Sequence, residues 1–189
     1  MKRTIKNNIN TVNYWDNLLK NEKWGEERGS IYKKLFKYFP RKRKITALDI
    51  GCAIGHGLNE LVIKLNNIKF EGCDFSVEGI RKAKKIYGDK VNFFVHNVYK
   101  NNLNKNYDYI LFIETLEHLN KPKKIIRKYL EFCNEKILVT VPYKEKKWKE
   151  HLYFFDENSF KDIREFKKHF IFGKFNTNQK IILYIFEKL

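Results

Sequence analysis

The sequence predicts a doubly wound α/β domain, with a mostly parallel sheet, helices on both faces and an antiparallel element at one edge. Three observations carry this. Short apolar runs alternate with amphipathic helical stretches from Ile45 onward. A glycine-rich turn follows the first of those runs, and the last two runs, residues 170–174 and 180–186, have no helical stretch between them. The 189 residues suffice for one domain with a full core, and no repeat or low-complexity linker marks a boundary.

Residues 11–38 read as helical, in TVNYWDNLLK and ERGSIYKKLFKYF, with a break around Trp24 and Gly25 and a stop at Pro40. Ile45–Ile50 reads as a short buried strand. In residues 57–66, GLNELVIKLN puts Leu58, Leu61, Val62 and Leu65 on one helical face. Residues 69–73 form a second strand, Ser76 starts a helix through Tyr87, and residues 91–95 form a third strand. Tyr107–Ile113 (YDYILFI) is the fourth strand, and Pro122 stands at the front of a helix running to Phe132. Residues 136–141 (KILVTV) are the fifth strand, closed by Pro142. Residues 157–168 read as a helix, and the two late strands flank the turn NTNQ.

Composition narrows the class. With 43% hydrophobic and 16% aromatic residues the chain has a core to bury, despite 32% charged residues. Its three cysteines are odd in number, widely spaced and without a CxxC pair, so neither zinc nor a disulfide framework is expected and a reducing cytoplasm is. The start, MKRTIKNNIN, lacks the apolar core of a signal peptide, and no run approaches membrane-spanning length. The expectation is a soluble cytoplasmic protein; nothing in the pattern specifies an oligomeric state.

A net charge of +17 invites a nucleic-acid partner. Yet only seven of the 39 basic residues are Arg, the better fork for phosphates and base edges. The bias toward Lys, Asn and Ile is what AT-rich coding produces. The lysines are also spread out, apart from RKRK at 41–44 and KEKKWK at 144–149. Drift and solubility account for the charge more simply than a polyanion surface does.

The turn ALDIGCAIGHG (47–57) raises the functional question. In such a sheet, ligands bind beyond the carboxyl ends of the strands, so Gly51, Gly55 and Gly57 fall at the crevice. Glycine there tolerates positive φ and lets a ligand lie against the main chain. A dinucleotide fingerprint needs glycines at positions 51, 53 and 56, where the chain has Gly51, Ala53 and His56, so NAD is disfavoured. Asp49 is suited to organise a cationic ligand or an ordered water. Asp74, after the second strand in GCDFS, stands where an acid accepts both hydroxyls of a ribose. Asn97, after the third strand in FFVHNV, stands where an amide pairs with an adenine edge. A nucleoside with a cation on its other end would use all three.

On these residues the chain resembles the class I S-adenosylmethionine-dependent methyltransferases, over nearly its whole length. ALDIGCAIGHG resembles the family's first motif, EGCDFS its ribose-binding acid, HNV its adenine contact and YDYILFIETLEHL its fourth-strand motif. The resemblance implies a Rossmann-like, seven-stranded, mostly parallel sheet with one antiparallel edge strand. It implies S-adenosyl-L-methionine as cofactor and S-adenosyl-L-homocysteine as product. It also implies cofactor contacts at Asp49, Gly51, Cys52, Ala53, Gly55, Asp74, Phe75, Ser76, Asn97, Val98 and Glu114.

Two departures stand out: Ala53 replaces the usual middle glycine, and Asn97 replaces a common aspartate, keeping an acceptor but not the charge. Plainer readings apply to Cys52 as a small buried side chain, Asp108 as a strand-edge hydrogen-bonding residue and His56 as a solvent-facing helix start. The resemblance divides the single domain 1–189 into a helical lid, 1–40, and a cofactor-binding core, 41–189. In that lid, Tyr14 and Trp15 of NYWDNLL could close over the site, although simple packing explains Trp15 and Leu18 as well.

Methyl transfer requires a nucleophile held in line with the sulfonium methyl and, for a hydroxyl, removal of its proton. ETLEHL supplies Glu114, Glu117 and His118, and EHLYFFD supplies Glu150 and His151. No NPPY-like motif follows the fourth strand, and VPY (141–143) follows the fifth, so base N-methylation is disfavoured. The catalytic candidates are His118, His151 and Glu117, with either histidine as general base and a small-molecule or glycan hydroxyl as acceptor.

Glu114, Glu117, His118 and His151 together also resemble the metal-binding set of the small-RNA 3′-terminal 2′-O-methyltransferases, where a divalent ion acidifies a ribose hydroxyl. That resemblance implies metal-assisted RNA methylation as an alternative. The same EH pair and the EH-x-x-x-F segment also occur in methyltransferases resembling the ubiquinone-pathway and glycan O-methylating enzymes, and no separate RNA-binding module is present. A divalent metal is therefore compatible but not favoured. A third alternative, a non-catalytic methyltransferase-like binding subunit, is disfavoured by the retained set Asp49, Gly51, Gly55 and Asp74.

Overall fold

The computed structural model describes residues 2–3, 7–21, 23, 25–173 and 179–189. Seven strands form one sheet: β1 (Ile45–Ile50), β2 (Ile68–Asp74), β3 (Asn92–Val95), β4 (Tyr107–Ile113), β5 (Cys133–Pro142), β6 (Phe166–Gly173) and β7 (Lys180–Glu187). Their order is β3-β2-β1-β4-β5-β7-β6. Six run in one direction; β7 is reversed, pairing antiparallel with β5 on one side and β6 on the other, one place in from the edge. A hairpin needs no crossover helix, which is why the sequence lacks a helical stretch there.

The central strands β1 and β4 are mostly apolar because both faces are covered. On one face lie α2 (Gly29–Leu35), α3 (His56–Lys64) and α4 (Val77–Tyr87), burying Leu35, Leu58, Leu61 and Ala83 against Ala47, Phe70 and Leu111. On the other, α5 (Pro122–Leu130) sets Ile125, Ile126 and Tyr129 against Leu48, Ile110, Phe112 and Val139. The remainder of that face is closed by the irregular segment that carries Phe155, Phe160 and Ile163. A short α1 (Val12–Leu18) packs on α4; its first turn is capped by Thr11, whose Oγ1 accepts from the Tyr14 N–H at 3.2 Å.

Residues 157–168 are not the helix the spacing of Phe160 and Ile163 predicts. They form successive turns, and β6 begins at Phe166. Asp156, Asn158 and Ser159 explain the difference. The Asp156 N–H donates to Ser159 Oγ, the Asn158 N–H donates to Asp156 Oδ1, and the Ser159 hydroxyl donates to the same Oδ1. These short side chains offer the backbone a turn in place of a helical ladder. Phe160 and Ile163 are buried all the same.

The break between the N-terminal helices falls at Gly25, whose φ is 85°; Trp24 lies outside the described residues, as do Lys174 and most of the NTNQ turn. Asp108 is the strand-edge residue expected: its Oδ2 accepts from the Thr46 N–H at 2.8 Å, far from the carboxyl ends of the strands. His56, the first residue of α3, is half-buried and not solvent-facing, because its Nδ1 meets the Tyr87 hydroxyl at 2.7 Å. Among the described residues, no helix is long and apolar enough to cross a membrane.

Candidate functional site

The parallel register brings the ends of β1, β2 and β4 side by side, with Asp49 opposite both Gly72 and Leu111. The chain then turns sharply at Gly51, φ 83°, where the N–H groups of Gly51 and Cys52 both donate to the Cys73 carbonyl. A Cβ on Gly51 would sit 2.5 Å from the Thr115 side chain, so this glycine is required by geometry and by space. Ala53 adopts φ 51° despite its side chain. In that conformation its N–H donates to Asp74 Oδ2 at 3.0 Å, while the Ser76 N–H donates to Oδ1 at 2.9 Å. Burial raises the Asp74 pKa, and these backbone N–H groups oppose the rise. The carboxylate is thereby fixed in orientation and retains lone pairs for further donors.

These residues floor a crevice open to solvent at the carboxyl ends of the strands. Of the expected cofactor residues, Gly51, Ala53, Asp74, Phe75, Asn97, Val98 and Glu114 line it. Cys52 lines a smaller neighbouring recess and is buried. Asp49, Gly55 and Ser76 do not line it. Gly55 is needed for its φ of 86° and for space beside Phe93 and Tyr87, and Ser76 caps α4 by accepting from the Gly79 N–H.

Gly57 serves a different purpose from the ligand approach that its spacing suggests. A Cβ there would lie 2.1 Å from the Tyr32 ring. The missing side chain admits Tyr32, whose hydroxyl donates to Asp49 Oδ2 at 2.8 Å. Asp49 is fully buried, and burial drives its pKa up to about 7 against the Tyr32 hydrogen bond. Its second oxygen, Oδ1, has no hydrogen-bond partner. An orphaned buried carboxylate oxygen calls for a partner, although Asp49 itself lies behind the crevice lining.

Asn97 is half-buried, and its Oδ1 accepts from the Tyr99 N–H at 2.9 Å. That turn sets the Tyr99 ring on the crevice wall, held by the Asn120 N–H, which donates to its hydroxyl at 2.5 Å.

A second crevice adjoins the first; Trp15, Arg28, Glu114 and His118 line both. Glu117 and His151 line the second. His118 Nδ1 faces the Glu150 carbonyl at 3.2 Å, so the ring is the Nδ1–H tautomer, and buried Nε2 makes no hydrogen bond. Burial pushes the His118 pKa well below 6.5, and the charges of His151 and Arg28 act in the same direction. His151 is lowered by burial too, opposed by Glu145, whose Oε2 lies 2.6 Å from Nδ1. Ligand atoms of Glu117, His118 and His151 lie within 4.8 Å of one another. Glu114 lines the crevice but is not a member of that cluster.

The N-terminal segment covers both crevices. The Trp15 indole donates to Asn10 Oδ1 at 3.1 Å, Asn10 Nδ2 donates to the Glu150 carbonyl at 2.9 Å, and the Tyr14 hydroxyl donates to Glu150 Oε1 at 2.5 Å. Within α1, Asp16 accepts from Ser76 Oγ. Sequence reasoning missed Asn8, Asn10, Arg28, His96 and Tyr99 as lining residues. Arg28 left one signal: it is an arginine beside a glycine break, in a chain where arginine is scarce.

Comparison with known proteins agrees with the architecture. A family model described as a methyltransferase domain matches residues 24–172. No curated protein matches the chain. A chain from a complex of the Haloferax volcanii Trm112 methyltransferase activator superposes with TM-score 0.76 at 15% identity, over 92% of this chain and 97% of that one. The [4+2]-cyclase SpnF gives TM-score 0.71 at 12% identity, over 85% and 80%. The plantazolicin methyltransferase BpumL, solved with SAH, gives 0.61 at 18%, over 94% and 88%. At these identities the structures speak for the fold, and the cyclase marks how far one architecture can be redirected.

Proposed function

The chain belongs to the methyltransferase-domain family, and from that premise we propose that it transfers the methyl group of S-adenosyl-L-methionine to a hydroxyl of a small molecule or glycan. The observation that carries this is the junction of the two crevices, where His118 stands in a shared wall with a neutral ring and an unbonded Nε2. A donor site and an acceptor site separated by one general base is the arrangement the reaction needs.

The residues present fit the cofactor. Asp74 would hold the ribose hydroxyls, with its carboxylate already oriented by Ala53 and Ser76. Asn97 and the Tyr99 ring would flank the adenine. Asp49, with its orphaned oxygen, would balance the ammonium charge, and Arg28 would face the carboxylate. Bound there, S-adenosyl-L-methionine supplies an electrophilic methyl group. His118 Nε2 would take the proton of the acceptor hydroxyl, while Glu117 and His151 orient the acceptor and Trp15 excludes water.

One observation favours a second reading. Glu117, His118 and His151 converge closely enough to hold a divalent cation, and His118 Nε2 is a buried imidazole nitrogen without a partner. Two imidazoles and one carboxylate suit manganese, cobalt or iron better than magnesium, which prefers an all-oxygen set. Such an ion would acidify the acceptor hydroxyl, a ribose hydroxyl of RNA included, in place of the histidine.

Calorimetric titration with S-adenosyl-L-methionine tests the donor site, and transfer of a labelled methyl group to a panel of hydroxyl compounds tests the reaction. Activity that survives a chelator supports the base reading. Activity abolished by the chelator and restored by a divalent ion supports the metal reading. Absence of cofactor binding overturns both.

A further inference from the structure

Trp148, Glu150 and His151 line the second crevice and belong to residues 144–151, a segment rich in lysine. At its centre Trp148 is 58% exposed, an unusual position for the largest apolar side chain. It is not stranded on the surface. A row of rings runs inward from it: Trp148 to His151 at 6.4 Å, His151 to His118 at 5.0 Å, and His118 to Trp15 at 4.9 Å between centroids.

The loop is also organised in advance. Glu145 Oε1 accepts from the backbone N–H groups of Lys147 and Trp148, while its Oε2 holds His151. Glu150, the other acid of the loop, is engaged by Tyr14. Both carboxylates are thus committed to structure. Lys146, Lys147 and Lys149 are exposed and make no ion pair among the described residues, and Lys146 lies over the Phe154 ring at 4.9 Å. Lys144, by contrast, pairs with Glu157. An exposed indole beside uncompensated ammonium groups matches a ligand that is flat at one point and anionic at the next.

We propose that this rim is a subsite for a nucleoside phosphate, with the base stacked on Trp148 and the phosphates held by Lys146, Lys147 and Lys149. The sugar between them then reaches the crevice that Glu117, His118 and His151 line. The proposal rests on the reading of that crevice as the acceptor side, and it narrows the acceptor to a sugar hydroxyl carried on a phosphorylated nucleoside. The same chemistry is offered by a free nucleotide and by the end of a single-stranded RNA.

The test is calorimetric titration of the full chain, saturated with S-adenosylhomocysteine so that the adenosine crevice is blocked. The ligands are uridine 5′-diphosphate, uridine and a short oligouridylate. Uridine diphosphate should bind at least tenfold more tightly than uridine. Trp148→Ala, and separately Lys147→Glu with Lys149→Glu, should each weaken it about tenfold and leave S-adenosylhomocysteine binding unchanged. An oligouridylate that binds more tightly, with a steep salt dependence, assigns the site to RNA; tighter binding of the diphosphate assigns it to free nucleotides. Equal affinity in wild type and variants, or no binding of either phosphorylated ligand, overturns the proposal. Failure of S-adenosylhomocysteine itself to bind would instead overturn the donor site, and the Trp148 and lysine variants would still decide this one, since only binding at the rim depends on them.

Discussion

The indole of Trp15 stands edge-on to the imidazole of His118, with ring centroids 4.9 Å apart and planes at 74°. One comes from the N-terminal helix and the other from the turn after β4, and both line the two crevices. The contact keeps His118 dry, and dryness is the main reason its ring is neutral.

The pH dependence follows in sign. A histidine depressed in the folded state is uncharged at neutral pH, so kcat/KM for the acceptor at saturating S-adenosyl-L-methionine should be level from pH 7 upward and fall only below pH 6.5. Its contribution to stability is lost as pH falls through the same region, because the unfolded chain binds the proton more readily. Trp15→Ala should admit water and move the acid limb of the rate profile upward. His118→Gln should lower kcat by about 10²–10⁴. A profile that rises through pH 8 would rule out this histidine as the base.

Asp74 offers a sharper measurement on the donor side. Asp74→Ala should weaken S-adenosyl-L-methionine by about 1.5–3 kcal/mol, the cost of losing hydrogen bonds to a charged acceptor. The Ala53 and Ser76 N–H groups also lose their acceptor in this variant. Calorimetry on Asp74→Asn, which retains one acceptor oxygen, separates the two effects: it should recover part of the affinity. Wild-type affinity in Asp74→Ala would overturn the ribose assignment.

Asp49 predicts a proton linkage. Burial raises its pKa to about 7, so its carboxyl takes up a proton near neutral pH in the free protein. A cationic ligand end beside it favours the charged form, so cofactor affinity should rise from pH 6 to pH 8 and binding should release protons below pH 7. Titration in two buffers of different ionisation enthalpy measures that release. Asp49→Asn should abolish it; persistence of the release in the variant would assign the proton elsewhere. In the free protein the raised pKa stabilises the fold fully below the usual carboxylate range and progressively less as pH rises through 7.

Gly57→Ala should disturb the site without touching a ligand. The added methyl would drive Tyr32 away from Asp49, at a cost of about 1–3 kcal/mol in stability from overpacking. Denaturant unfolding measures the cost. Tyr32→Phe should reproduce the effect on cofactor affinity while leaving the packing intact. An unchanged midpoint in Gly57→Ala would mean that α3 can shift to make room.

Periodicity and turn chemistry were enough to locate the strand and helix succession, the glycine turn, the acid after β2 and the histidines after β4 and β5. These signals are local: apolar spacing fixes which face of an element is buried, and a left-handed φ demands Gly51 whatever surrounds it. The helix expected at 157–168 shows the limit, since Phe160 and Ile163 are spaced alike for a helix and for a chain of turns, and the side chains of Asp156 and Ser159 decided between them. Other features required the folded chain. Gly57 looks like a ligand-approach glycine until Tyr32 is found against it, and Arg28 looks like one surface cation until its element brings it to both crevices. Glu117, His118 and His151 become a cluster only because β4 and β5 are neighbours that end on the same side of the sheet. Burial, and with it the neutral His118 and the raised Asp49, belongs to the tertiary structure alone, because desolvation depends on every element packed around a group and no short window of sequence contains them.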